Sequence, residues 1–310
     1  MHFIVTGGAG FIGSHLTEQL LIEGNSVTVI DNLSTGSLNN LPKHPSLKLL
    51  DKNILDCQPQ DCQMPIDGIA HLAATPSVIQ SWNEPIQCHH NNLSSMMTVL
   101  QLCQALKIPR LVFASSAAVY GNKTQLPIQE EQETSPISPY GLQKLVSEQY
   151  ANLFAQQLGI SFIALRLFNV FGPRQDPNSA YSGVISIFTK AIEKDLPITI
   201  YGDGKQTRDF IFVKDVAVAF TKALTTPLPQ ELCISCNVGT GQETSLLELV
   251  NMLESSFTHR KSNINFATAR TGDIQNSLAD ISKVSSLLNF QPKWSVASGI
   301  HMLVKSLAFK

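Results

Sequence analysis

Apolar and polar positions along the chain alternate between two patterns. Short apolar runs fall at residues 2–6, 26–30, 46–50, 66–74, 110–114 and 160–167. Runs of this length, bounded by turn residues, read as buried strands. Longer periodic stretches at 11–23, 85–106 and 140–158 read as helices. Such alternation predicts an α/β fold built on a doubly wound parallel sheet, with ligands at the carboxyl ends of its strands. The strict alternation ends after Gly172-Pro-Arg174. A polar loop at 175–181 follows. Helical patterns then fall at 185–194, 215–224, 246–255 and 281–288, and strand patterns at 198–201, 209–213 and 232–238. The expected organisation is a doubly wound domain over 1–171 and a smaller mixed α/β cap over 172–310, with some later segments returning to the first domain.

Composition narrows the partners. The chain has 310 residues, a formal net charge of −2 and 43% hydrophobic residues. Neither nucleic acid nor an anionic membrane surface suits that charge. The best apolar run, 160–171, is interrupted by Arg166. With Met1-His2 leading straight into a strand, a cytoplasmic protein is expected. The six cysteines stand at 57, 62, 88, 103, 233 and 236. Cys233 and Cys236 have CxxC spacing but lie in a strand pattern with no second pair, so reduced thiols are expected. Adjacent His89-His90 lack metal-ligand spacing, and no metal site is expected.

Chemistry concentrates in two places. Gly7-Gly-Ala-Gly-Phe-Ile-Gly13 follows the first strand and opens a helix. Its glycines fit GxGxxG (Gly8, Gly10, Gly13) or GxxGxxG (Gly7, Gly10, Gly13). Both suit a tight turn that brings backbone and a helix N-terminus against a pyrophosphate. The second strand ends in Asp31, placed to bond ribose hydroxyls, and no arginine follows it. That favours NAD over NADP. In Tyr140-Gly-Leu-Gln-Lys144, tyrosine and lysine share one helix face a turn apart. An ammonium there is expected to lower the phenol's pKa and make it a usable base. Ser115-Ser116, at a strand end, offers a hydroxyl to the phenol and a substrate oxygen. Arg174, Arg208 and Arg270 in the second half suit a phosphorylated substrate.

Seven ordered motifs complete the picture: Gly7–Gly13, Asp31-Asn-Leu-Ser34, His71-Leu-Ala-Ala74, Ser115-Ser-Ala-Ala-Val-Tyr-Gly121, Tyr140-x-x-x-Lys144, Arg166-Leu-Phe-Asn169 and Arg208-Asp-Phe210. Together they resemble the extended short-chain dehydrogenase/reductases, and more narrowly the NAD-dependent nucleotide-sugar epimerases. The resemblance implies a Rossmann-like NAD domain and a UDP-sugar-binding cap. It implies Ser116, Tyr140 and Lys144 as the catalytic set. It places Gly7, Gly10, Phe11, Ile12, Asp31, Asn32, Leu33, Ser34, Gly36, Asn53, Ile54, Leu72, Ala73, Ala74 and Asn92 at NAD, with Tyr140 and Lys144. It places Asn169, Arg174, Val184, Tyr201, Arg208, Arg270, Asp273 and Ser277 at the UDP-sugar, with Ser116 and Tyr140. Asn53 and Leu167 depart from the family's usual aspartate and aromatic residue.

By that resemblance Tyr140 takes the proton of the sugar 4-hydroxyl while NAD takes the C4 hydride, and the 4-keto sugar turns over before the hydride returns. Dehydratases and decarboxylases of the family carry carboxyl groups just after the serine; here Ala117 and Ala118 stand there. A small residue at Ser277, aligned with the family's C2-substituent gate, implies room for an N-acetyl group. The expected substrates are thus UDP-N-acetylglucosamine/UDP-N-acetylgalactosamine or UDP-glucose/UDP-galactose. The alternative is UDP-glucuronate, with Arg174 meeting the carboxylate. A catalytically silent NAD-binding regulator is the reading from another class, and it should lack part of the catalytic set. A homodimer paired through the helices at 85–106 and 140–158 is also expected, although Leu145, Tyr150 and Phe154 suit a core equally well.

Overall fold

The strands of the first half form where the apolar runs predict them: β1 (His2–Thr6), β2 (Ser26–Asp31), β3 (Leu47–Asp51), β4 (Gly68–His71), β5 (Arg110–Ser116) and β6 (Ser161–Leu167). The computed structural model describes residues 1–62, 65–176, 183–229, 231–257, 261–269 and 274–307. Between these strands run α1 (Phe11–Ile22), α2 (Val78–Asn83), α3 (Pro85–His89), α4 (Ser95–Leu106) and α5 (Pro139–Leu158). The second half adds β7 (Asn169–Phe171), α6 (Val184–Glu193), β8 (Ile198–Tyr201), β9 (Thr207–Arg208), β10 (Phe210–Phe212) and α7 (Val213–Thr225). It continues with β11 (Cys233–Val238), β12 (Thr244–Ser245), α8 (Leu246–Ser256), β13 (Ile264–Ala267), α9 (Ser282–Leu288) and α10 (Val296–Leu307).

Among the described residues, seven strands form one parallel sheet in the order β3-β2-β1-β4-β5-β6-β11. The order reverses at β1 and β4, the switch point where this architecture opens a ligand crevice. One face of the sheet is covered by α1, α7 and α9 through Leu16, Leu20, Phe220, Leu224, Val284 and Leu288. The other is covered by α4 and α5 through Val99, Leu100, Cys103, Ala151 and Ala155. Fully burying one such large side chain contributes about 1.5–3 kcal/mol. Both α7 and β11 come from the second half of the chain, β11 as an edge strand of the sheet and α7 packed on its face. A separate cluster in the second half packs Phe188, Ile192, Ile200, Phe210, Phe212, Leu249, Leu253 and Ile300 together.

Three sequence expectations need correction. The helix expected over 85–106 is interrupted by a π-helical turn, His90–Ser94. Within that turn the buried Asn92 side chain accepts from the Thr75 N–H at 2.7 Å and donates to Gln143 Oε1 at 2.7 Å. The strand expected over 66–74 stops at His71, because the Thr6 hydroxyl accepts the N–H groups of Leu72 and Ala73 at 3.2 Å each. On α5, Phe154 packs against the core and Leu145 against Tyr120 and Phe168, whereas Tyr150 and Leu153 are exposed. No helix among the described residues is long and apolar enough to cross a membrane.

Candidate active site

Parallel register lines up the strand ends. Thr6 faces both Ile30 and His71, and Ser116 faces Leu167, which in turn faces Val238. At the β1 end, Gly7 adopts φ +69°, and a Cβ on Gly13 would meet the Gly7 carbonyl oxygen at 2.1 Å. The helix start therefore lies directly on the turn, which only glycine allows. Gly10 is the N-cap of α1 and puts no side chain over it. The first N–H groups of a helix lack intrahelical partners, so Phe11 and Ile12 present theirs at this end.

Asp31 is buried. It accepts from Ala9 N–H at 2.9 Å and Leu33 N–H at 2.8 Å, which fixes the glycine turn against the end of β2. Asn32 accepts from the Ser34 hydroxyl at 2.8 Å, and a Cβ on Gly36 would crowd Ala9 and Asp31 at 3.0 Å. Asn53 caps the short turn Ile54–Asp56 by accepting from Leu55 N–H at 3.1 Å. Leu72 and Ala73 border the glycine turn just after β4, with Ala74 next in the chain; a Cβ on Gly7 would strike Ala73 N at 2.8 Å. These residues make a small-residue cradle with a carboxylate behind it, which fits a dinucleotide's pyrophosphate and ribose.

The reacting end is built by β5 and α5. Successive strand residues point to opposite faces, so Ser115 and Ser116 separate. Ser115 donates inward to Glu148, while Ser116 accepts from Ala118 N–H at 3.2 Å and lies near enough to the Tyr140 phenol to draw its pKa down. Helix α5 starts cleanly. The Ser138 hydroxyl accepts from Gly141 N–H at 3.1 Å, Pro139 occupies the first turn, and Gly159 ends the helix. Gly141 permits the close approach, since a Cβ there would meet the Ala118 carbonyl oxygen at 2.5 Å. Tyr140 is thereby held beside Ser116, with its own N–H donating to Ser81 Oγ at 3.0 Å.

Lys144 is buried, donates from Nζ to the Ala114 carbonyl at 2.8 Å, and lies 5.8 Å from the centre of the Tyr140 ring. Burial pulls its pKa down to about 7, against the pull of Glu148 in the other direction. The expected lowering of the tyrosine by this lysine is not what the arrangement produces. Although Tyr140 as a residue is only half-buried, desolvation of its phenol pushes the pKa above the ordinary value, and nearby Ser116 works against that rise.

Strand β7 begins two residues beyond Leu167, so Asn169 follows the strand end beside Ser116. It pairs with Phe210 of β10, placing Arg208 two residues upstream. Arg208 is half-buried and donates to the Thr207 carbonyl at 2.8 Å. Val184 opens α6, Tyr201 ends β8, and Ser277 is buried. Arg174 is turned elsewhere: its guanidinium pairs with Glu18 at 2.8 Å and touches Ser14 Oγ at 3.3 Å. Asn92 serves the loop after β4, through its bonds to Thr75. Arg270 and Asp273 lie outside the described residues.

Sequence reasoning missed the supports. Buried Asp209 accepts from Thr240 N–H at 2.7 Å, Gly241 N–H at 2.9 Å and Ala279 N–H at 3.2 Å, tying the Arg208 segment to the one that carries Ser277. Its place inside Arg208-Asp-Phe210 was the available signal. The burial of two histidines was missed as well, although His71 heads one of the motifs. His71 bonds Thr6 Oγ1 at 2.7 Å, and His15 bonds the Pro173 carbonyl at 3.0 Å. Burial lowers their pKa values to about 3 and about 4.

Both histidines stay neutral in the fold, whereas the unfolded chain protonates them below about pH 6.5. Their contribution is therefore fully present above that pH and is lost as pH falls toward their native values. Each accounts for roughly 2 kcal/mol between about pH 6.5 and 5. Buried Asp209, whose pKa burial raises, acts in the opposite direction. The measurement is thus a difference: the urea midpoint of His15→Gln should fall less steeply from pH 7 to 5 than that of the natural chain. Equal slopes would refute the assignment.

A model of the NAD dependent epimerase/dehydratase family matches residues 3–239. A UDP-glucose 4-epimerase of Mycolicibacterium smegmatis is 32% identical over 311 residues, covering 98% of each chain. Among solved structures, a UDP-N-acetylglucosamine 4-epimerase from Methanobrevibacter ruminantium, in complex with UDP-N-acetylmuramic acid, superposes with a TM-score of 0.94 at 36% identity. That match covers 99% of this chain and 98% of the other. A mutant UDP-glucuronic acid 4-epimerase from Bacillus cereus, with a fluorinated UDP-glucuronic acid and NAD, gives a TM-score of 0.91 at 31% identity, covering 100% and 99%.

Proposed function

Since the chain belongs to the NAD-dependent epimerase/dehydratase family and is an NAD-using enzyme, we propose that it inverts C4 of a UDP-hexose, with the N-acetylated sugars as preferred substrates. The observation that carries the reaction type is the turn after Ser116. Ala117 and Ala118 occupy it, and no carboxyl group follows the serine to remove water or carbon dioxide. NAD supplies the acceptor and donor for the C4 hydride. Every proton step falls to Tyr140, which takes the proton of the 4-hydroxyl and returns it. Ser116 holds the phenol and the 4-oxygen together. Lys144, with a pKa of about 7, holds positive charge at the face of the ring where phenolate develops. Asn169 and Arg208 grip the UDP portion, so that the sugar itself is free to turn. The intact trio weighs against a silent regulator.

Choice of sugar rests on Ser277, whose small side chain leaves space at C2. The uronate reading loses the cation it relied on, because Arg174 is engaged by Glu18. Purified protein incubated separately with UDP-N-acetylglucosamine, UDP-glucose and UDP-glucuronate, with products resolved by NMR, tests both points. Conversion of the N-acetyl sugar to its 4-epimer at the highest kcat/KM is expected. Turnover of UDP-glucose alone would refute the Ser277 argument, and turnover of UDP-glucuronate alone would refute the hexose assignment.

A further inference from the structure

Thr6 ends β1, His71 ends β4 and Ser95 opens α4, and all three are buried. Their hydrogen bonds leave one arrangement of protons. The Thr6 hydroxyl accepts the N–H groups of Leu72 and Ala73 at 3.2 Å each. Those bonds take both lone pairs of its oxygen. Its own proton therefore goes to the remaining partner, His71 Nδ1, at 2.7 Å. On the other side of the ring, Ser95 Oγ lies 3.3 Å from Nε2. Ser95 gives its proton to the backbone carbonyls of Asn91 and Asn92, at 2.7 and 3.1 Å, and a carbonyl can only accept. Towards His71 the Ser95 oxygen is then an acceptor, and Nε2 must carry a hydrogen. Both sides of the ring give the same answer: Nδ1 bare, Nε2 protonated, the imidazole neutral. The surroundings agree. His71 stacks on Phe113 with ring centres 5.7 Å apart, and Lys144 Nζ lies 4.7 Å from the centre of the Phe113 ring. Burial, helped by the charge of Lys144, pulls the His71 pKa down to about 3.

We propose that His71 is a positioning residue for NAD: by accepting the Thr6 proton at Nδ1, it frees the Thr6 oxygen to hold Leu72 and Ala73 against the glycine turn. With a hydrogen on Nδ1 instead, the Thr6 oxygen would face three donors with two lone pairs, and one N–H group would be displaced. Leu72 has a second acceptor in the Thr6 carbonyl at 3.1 Å, so Ala73 is the residue that leans on the hydroxyl. Ala73 is also the residue that touches the turn. A Cβ on Gly7 would meet Ala73 N at 2.8 Å and Ala73 Cα at 2.9 Å, so no methyl group fits between them. A shift of Ala73 is therefore passed to the turn that brings the start of α1 against the pyrophosphate. The effect falls on how firmly NAD is held. The proton chemistry of Ser116 and Tyr140, on β5 and α5, does not run through this bond. The inference rests on the use of NAD and not on which sugar is turned over.

Two measurements on the full chain test it. The first is long-range proton–nitrogen NMR of protein carrying isotopically labelled histidine, at pH 7, with His71 assigned through its backbone connections. The pattern of an Nε2–H imidazole is expected; an Nδ1–H or doubly protonated ring would overturn the proposal. The second is the rate of NAD release from the holoenzyme, with freed cofactor reduced at once by an added alcohol dehydrogenase. Release should quicken roughly tenfold in His71→Leu, the change expected when a buried donor loses its acceptor. His71→Asn puts an acceptor oxygen back near the place of Nδ1 and should release NAD at close to the natural rate. Thr6→Val and Thr6→Ser should repeat that contrast, which decides the matter if His71→Leu does not fold. Equal release from the Leu and Asn variants would reduce His71 to ring packing and overturn the proposal. So would a fall in kcat at saturating NAD with release unchanged, because His71 would then act on Lys144 through Phe113.

Discussion

Tyr140→Phe lowers 4-epimerase turnover by roughly 10³-fold, within the span usual for loss of a general acid–base group. The phenol sits beside Ser116 at the end of β5, and in the proposed reaction it is the group that accepts and returns the 4-hydroxyl proton. Phenylalanine keeps the ring and leaves the backbone bond to Ser81 Oγ intact. The helix start, the fold and retained NAD should therefore be unaffected. The measurements are steady-state kcat with the preferred UDP-sugar and the amount of NAD copurifying with the protein. A loss under tenfold with full NAD content would move the proton-transfer role away from Tyr140. Ser116→Ala removes a hydrogen bond rather than the base, and a smaller fall is expected from it in the same assay.

The largest effect on stability belongs to Glu148. One turn beyond Lys144 on α5, its carboxylate takes a bidentate pair from Arg166 on β6, with Nη2–Oε2 at 2.7 Å and Nε–Oε1 at 3.1 Å. Ser235 of β11 donates to it at 3.2 Å, and Ser115 donates from β5. Arg166 continues to the Tyr120 hydroxyl at 3.0 Å and the Glu130 carbonyl at 3.2 Å. Both members of the pair are buried. Glu148→Gln leaves the guanidinium without its countercharge, and breaking a buried pair in this way costs about 3–5 kcal/mol. A double variant, Glu148→Leu with Arg166→Met, removes both charges and should recover much of that loss. Urea unfolding of the two variants measures the difference. If the double variant were no more stable than Glu148→Gln, the unpaired charge would not be the cause.

The glycine turn, Asp31, Ser116 and the Tyr140–Lys144 pair were legible because each is local. Glycine spacing, a strand end and a four-residue helical repeat are properties of neighbouring positions, and the fold needs only to leave them in place. The groups that steady them were not legible, because they act across long separations. Arg166 looked like an interruption in an apolar run, and only the adjacency of β6 to α5 reveals it as Glu148's partner. Arg174 looked like a phosphate or carboxylate ligand, since any loop arginine does; its pairing with Glu18 depends on where the cap re-enters against α1. The π turn at His90–Ser94 has no compositional signature, and its cause, the reach of Asn92 to Thr75 and Gln143, is tertiary. The phenol's upward shift was misjudged because proximity of a cation was weighed without burial. In the cap, β9 and β12 are each two residues long and leave too little periodicity to detect.

The sheet's outermost strand on the β6 side, β11, is made of residues 233–238 and lies against β6 through six paired residues. During synthesis the ribosome delivers β6 long before β11, with the whole first part of the cap in between. Through that interval β6 is an open edge, its backbone donors and acceptors ready to pair with any extended chain nearby. The nascent chain is thus most vulnerable to aggregation in the window before residue 238 emerges, and a chain cut short anywhere in the cap before β11 would keep that edge open for good.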